Sequence, residues 1–286
     1  MTSTIRHGYA DTPRGQLHYR VCGEGPPLLL LHSTNLSSRA YLRLMPLLRG
    51  YTVYAPDLLG FGYSDPLQGV PDMNAFAQMV IDFMDALSIK RAHVFGLHAG
   101  NKIGAMLAST WPQRVERYII AGMTHSLISD QGKRLASVPD YAHKLRETQK
   151  VVEPGLDLRD WALLFDKLSR IWWRPKTINR EQVADAGLRE LEDEVLDLLH
   201  GRQGYGAFYR ASWAFDIGAA LKRVAAPSLV IELVIKREAH LARQGPVLEK
   251  LMADCRSVII EMSDNDLLYR HPELLAGHMS EFLSAR

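Results

Sequence analysis

Val94-Phe95-Gly96-Leu97-His98-Ala99-Gly100-Asn101-Lys102-Ile103-Gly104 carries the sharpest structural signal in this chain. An apolar, strand-like run at 92–96 passes through Gly-x-His-x-Gly into a helical pattern. The small residues have a physical reason. A strand that turns sharply into a helix presses backbone against backbone, and bulky neighbours would clash there.

Working outward, short apolar runs recur at 26–32, 51–55, 118–122, 228–231 and 257–260. Each has the length and continuity of a strand buried on both faces. Helical patterns lie between most of them. In the clearest, Phe76, Met79, Val80, Phe83, Met84 and Leu87 alternate steps of three and one just after Pro71-Asp72, a helix-opening pair. This alternation predicts an α/β fold, a doubly wound and mostly parallel sheet covered on both faces.

The alternation stops across 124–216, which reads as helices only, including 161–173 and 180–200. That segment holds four of the five tryptophans: Trp161, Trp172, Trp173 and Trp213. An all-helical insertion on the side where the strands end makes a lid over the place where such sheets bind ligands. The expected division is a core domain of 1–123 and 217–286 with a helical cap of 124–216. Trp161 and Trp213 are expected to line the pocket beneath the cap, besides any role in packing it down.

The pentapeptide centred on His98 resembles the nucleophile elbow of the α/β-hydrolase family, Gly-x-Ser-x-Gly in the same strand–turn–helix context. Leu31-His32-Ser33-Thr34 resembles the family's His-Gly loop, which supplies a backbone N–H to the oxyanion hole. Asp57-Leu58-Leu59-Gly60-Phe61-Gly62-Tyr63-Ser64-Asp65-Pro66 is similar to its Asp-x-x-Gly-x-Gly-x-Ser-Asp signature. Order and spacing match along essentially the whole chain. The resemblance implies the lidded small-molecule branch of the family, which includes esterases, carbon–carbon bond hydrolases, dehalogenases, epoxide hydrolases and cofactor-free lyases. It also implies Thr34 and Ala99 as the oxyanion-hole N–H groups, and no cofactor.

The same resemblance exposes three departures. His98 stands where the family's serine attacks, and an imidazole cannot form the ester-type acyl intermediate that serine forms. In Ser228-Leu229-Val230-Ile231-Glu232-Leu233-Val234-Ile235-Lys236, Lys236 replaces the acid and Leu233 the glycine of a Gly-x-x-Asp pattern. Counting back seven residues from Pro272 gives Asn265 in place of the basic histidine. An alternative site for the acid, after the strand that follows the elbow helix, has Gly122-Met123-Thr124-His125 and no carboxylate. Replacement at every triad position points to a natural change of role.

His98 retains chemistry of its own. At the amino end of a helix the dipole disfavours imidazolium, so the ring is expected to be neutral near pH 7. It can then act as a general base, or polarise a carbonyl beside the N–H groups of Ala99 and Thr34, with Asn265 fixing its tautomer. Ser33, His125, Trp161 and Trp213 are the expected ligand-contacting residues. Glu238, His240, Asp264 and Asp266 fall in the same loops, where solvated side chains are the plain reading for the last three and assistance to His98 is left open. The expected function is hydrolase, lyase or cyclase chemistry of non-serine type on a mostly apolar or aromatic small molecule. The alternative is a catalytically inactive relative that binds a small molecule or acts as an accessory protein.

Composition narrows the partners. The 286 residues, with 47% hydrophobic and 23% charged, suit one sizeable domain carrying an insertion rather than a disordered or membrane protein. A net charge of +2 without a basic stripe argues against nucleic acid. No apolar run approaches a membrane span and the amino terminus lacks a secretory pattern, so a cytoplasmic protein is expected. The two cysteines, Cys22 and Cys255, are too few for a disulfide framework and read as buried thiols. Without a spacing such as His-x-x-x-His, no metal is expected. Nothing in the sequence specifies an oligomeric state.

Overall fold

Each apolar run becomes a strand, and two strands precede them. The computed structural model describes residues 4–122, 161, 185–235, 243–262 and 267–285. Its strands are β1 (Arg6–Thr12), β2 (Gly15–Cys22), β3 (Pro27–Leu31), β4 (Thr52–Pro56), β5 (Ala92–Leu97), β6 (Val115–Ala121), β7 (Ser228–Ile235) and β8 (Cys255–Met262). They form one eight-stranded sheet in the order β1-β2-β4-β3-β5-β6-β7-β8. The β1–β2 and β2–β4 pairs are antiparallel and the others parallel, so the sheet is mostly parallel.

The β1–β2 hairpin has no continuous apolar run to announce it. Strand β1 forms the sheet edge with only Ala10 buried, whereas β2 lies inside the sheet and buries Leu17, His18, Arg20 and Cys22, a mixed polar and apolar set. By contrast, Leu28 and Leu30 face one side of the sheet and Leu29 and Leu31 the other, each 0–1% exposed. Burying such a leucine contributes about 1.5–3 kcal/mol, which is why this run can only be a central strand.

Helices cover both faces. The pattern after Pro71 forms α1 (Met73–Ala86), opened by Asp72, whose side chain accepts from Ala75 N at 2.8 Å. With α2 (Gly100–Thr110) it packs against Leu29, Leu31, Val94 and Ile120. The segment between β6 and β7 contributes α3 (Asp185–His200) and α4 (Arg202–Ala214). Then come α5 (Ile217–Leu221), α6 (Gly245–Leu251), α7 (Leu267–Arg270) and α8 (Pro272–Ser284), the last on the opposite face with Leu28, Leu30 and Phe95. Helix α4 docks on the loop after β4: Gly204 N donates to Gly60 O at 3.2 Å, and Phe208 meets the rings of Phe61 and Phe76 at 5.9 and 4.7 Å. Among the described residues no helix is long and apolar enough to cross a membrane. Cys22 is buried and Cys255 half-buried, both as free thiols.

Candidate active site

Strand β5 ends at Leu97, α2 begins at Gly100, and His98 makes the corner with a φ of 48°. For a side chain other than glycine this left-handed conformation is uncommon and strained. Its surroundings hold it there. His98 N donates to Ala121 O at 3.0 Å, and Asn101 N donates to His98 O at 3.1 Å. The buried side chain of Asn101 donates from Nδ2 to Ala121 O and Gly122 O, both at 3.0 Å, and Tyr118 donates its hydroxyl to Asn101 O. Asn101 and Tyr118 therefore staple the corner to β6.

The imidazole lies on Gly122: a Cβ built there would meet Cε1 of His98 at 2.6 Å. As a residue His98 is partly exposed, but its Nδ1 is buried and has no hydrogen-bond partner among the described residues. Burial and the nearby Lys102 ammonium lower its pKa to about 4, against an opposing hydrogen bond to the Gly122 backbone. The ring is neutral near pH 7, chiefly because it is desolvated. Lys102, one turn further along α2, is itself only 5% exposed. Lys102→Met should raise the His98 pKa from about 4 while leaving it below 6.5, since burial remains. An NMR titration of the His98 ring checks this, and an unchanged midpoint would exclude Lys102 as a cause.

Strand β3 pairs with β5 through Leu31 and Gly96, so the loop leaving β3 begins beside the corner. A Cβ on Gly100 would lie 2.2 Å from Leu31 O, which shows how closely the two abut. Ser33, Thr34 and Ala99 are all buried there. His32 is fully buried in a single neutral arrangement: Nδ1 donates to Ser33 O at 2.8 Å and Nε2 accepts from Leu58 N at 3.1 Å. It is committed to structure and is not a free base.

The structure thus brings His98, Ala99, Ser33 and Thr34 to one end of the sheet. Trp161 is half-buried in a helix, and Trp213 is buried on α4, stacked on Tyr209 at 5.4 Å. Asn265, His125, Glu238, His240, Asp264 and Asp266 lie outside the described residues. Among the described residues no group of three or more His, Cys, Asp or Glu side chains is arranged to hold a metal. Sequence reasoning assigned no role to Asn101, Lys102 or Asp57. A polar residue and a lysine in the first turn of an otherwise small and apolar helix were the available signal for the first two.

This architecture is the α/β-hydrolase fold, and a family model described as alpha/beta hydrolase fold matches residues 26–157. The chain is similar to an uncharacterized protein of Mycobacterium tuberculosis, 32% identical over 137 residues, 46% of this chain and 38% of that protein. It is also similar to a 2-hydroxymuconate semialdehyde hydrolase of a Pseudomonas species, 28% identical over 209 residues, 63% of this chain and 71% of the relative. The match to the first relative thus spans little more than a third of that protein's length. Among solved structures, a hydrolase from Pseudomonas aeruginosa superposes with a TM-score of 0.75 at 22% identity, covering 98% of this chain and 99% of the other.

Proposed function

We propose that this chain is an α/β-hydrolase-fold enzyme that works without a serine nucleophile and uses His98 on a mostly apolar or aromatic small molecule bound beneath a helical cap of 124–216. The observation that carries this reading is a strained, stapled corner presenting a neutral imidazole whose Nδ1 has no hydrogen-bond partner among the described residues. Rigidity at a strained position is characteristic of working sites. The similarity to hydrolases supports the enzyme class.

A group with a pKa of about 4 is a weak base near neutrality, and its one N–H can stabilise a ligand oxygen by turning to it from the Gly122 carbonyl. We therefore give His98 the electrophilic role before the basic one: with the N–H groups of Thr34 and Ala99 it stabilises charge growing on a carbonyl or enol oxygen. Proton transfer, elimination, cyclisation and attack by an activated water all pass through such a state. In this reading Asn265 fixes the imidazole tautomer, Ser33, His125, Trp161 and Trp213 contact the ligand, and no cofactor takes part.

The test is His98→Ala. Ligands are found by thermal stabilisation across aromatic and polyketide-like compounds together with 2-hydroxymuconate semialdehyde. The variant should bind them within about tenfold of wild type and lose turnover by about 10² or more. Equal consumption by both proteins would make His98 a packing residue. Binding without conversion by either would favour the alternative, a non-catalytic small-molecule binding protein.

A further inference from the structure

The loop that carries Ser33 and Thr34 is fastened at its two ends by different parts of the molecule. At its start the ring of His32 donates to Ser33 O, and Leu36 N closes a turn on the same oxygen at 3.2 Å. At its far end Ser37 donates from N and Oγ to the two oxygens of Asp197, at 3.1 and 2.7 Å. The next amide, Ser38 N, donates to Asp57 at 2.6 Å. Asp57 belongs to the segment leaving β4, whereas Asp197 belongs to inserted helix α3, 160 residues from Ser37 in sequence. Arg39 strengthens the same link, with Nη1 2.9 Å from Asp193 and Nε 3.7 Å from Asp197. Only Thr34, Asn35 and Leu36 separate the two fastenings.

We propose that Asp197 is a positioning residue that couples helix α3 to the site: gripping Ser37, it sets the loop that presents Thr34 beside His98, and its protonation regulates how firmly α3 docks on that loop. The importance of Thr34 rests on the function proposed above; the coupling itself rests on the contact.

Asp197 is 3% exposed. Burial pushes its carboxyl up to about 7, the Asp57 carboxylate adds to the rise, and the Ser37 hydrogen bonds and Arg39 oppose it. The charged and titratable groups around it, among the described residues, are Arg39 beside the loop, Arg20 from β2, Asp57 and Tyr63 after β4, and Asp193 and Glu194 on its own helix. A docked α3 that holds this carboxyl near 7 binds the proton more tightly than an undocked one at the ordinary 3.8. Docking is therefore firmest below 3.8, weakens as pH rises, and is flat above about 7. The link survives protonation, because a neutral carboxyl accepts from Ser37 N with one oxygen and donates to Ser37 Oγ with the other. With that midpoint, the docking equilibrium changes about tenfold between about pH 8 and about pH 6.

The experiment follows backbone amide shifts and hydrogen exchange in the ligand-free protein. Thr34 and Ser37 should titrate together with a midpoint of about 7, and the corrected exchange of Ser37 should slow about tenfold from about pH 8 to about pH 6. Asp197→Asn mimics the protonated acid and should abolish both responses, leaving Ser37 protected throughout. Ser37→Ala removes the hydroxyl contact and should shrink the Thr34 response. A Thr34 amide that stays still while Ser37 titrates would overturn the coupling, as would a titration persisting unchanged in Asp197→Asn. His98→Ala should leave the responses intact, so failure of the coupling and failure of the proposed catalysis are read separately.

Discussion

Asp57→Ala is expected to lower stability by about 3–5 kcal/mol, the range for breaking a buried polar network by removing one partner. The carboxylate is fully buried. Its Oδ2 accepts from Tyr63 N at 3.1 Å and meets Nδ1 of His18 at 2.8 Å, and its Oδ1 accepts from Ser38 N at 2.6 Å. Alanine would leave those groups facing a dry space, each at a cost of about 1–3 kcal/mol and not additively. Asp57→Asn, which keeps the shape and one acceptor, should cost less. Although burial raises the Asp57 pKa, hydrogen bonds from His18 and Ser38 outweigh it and hold the carboxyl below the ordinary 3.8. The stability of wild type over Asp57→Asn should therefore be complete above 3.8 and disappear as pH falls through the lowered value. Urea titrations across that range decide the matter; a difference independent of pH would mean that Asp57 acts through shape alone.

The second large effect is expected at Gly100. A methyl group there would lie 2.2 Å from Leu31 O and 2.8 Å from Leu31 C, both backbone atoms of β3. That strand is clamped between β4 and β5 and cannot retreat. Gly100→Ala should therefore destabilise by more than about 3 kcal/mol. Helix propensity alone predicts the opposite sign, because alanine favours a helix over glycine by about 1 kcal/mol. The sign of the change in a denaturation experiment separates the two. A variant as stable as wild type would show that the corner does not abut β3 in solution.

The sheet was legible because parallel strands buried on both faces leave continuous apolar runs, as Leu28 to Leu31 do. The hairpin of β1 and β2 was not, because β1 is an exposed edge strand and β2 buries His18 and Arg20 along with Leu17 and Cys22, so neither leaves an apolar run. The corner at His98 was legible because backbone contact forces glycine at positions 96 and 100, and glycine is visible in a sequence. Its supports, and those of the loop beside it, were not. Asn101, Tyr118, Asp57 and Asp197 act through partners many residues away, such as Ser37 for Asp197 and His18 for Asp57, and no spacing rule encodes such pairs. His98 was expected to be neutral from the helix dipole; the larger cause is desolvation, which depends on packing that a sequence does not display.

The left-handed turn at His98 has a bearing on how such a site can change over generations. That conformation admits glycine freely and asparagine, aspartate or histidine at modest cost, and it turns away β-branched residues. The groups that hold the turn, Asn101, Tyr118 and Gly100, occupy other positions. The side chain at position 98 can therefore be exchanged by a single substitution without disturbing its mount, whereas one wrong neighbour removes the mount altogether. Residue 98 is free to change faster than the scaffold beneath it.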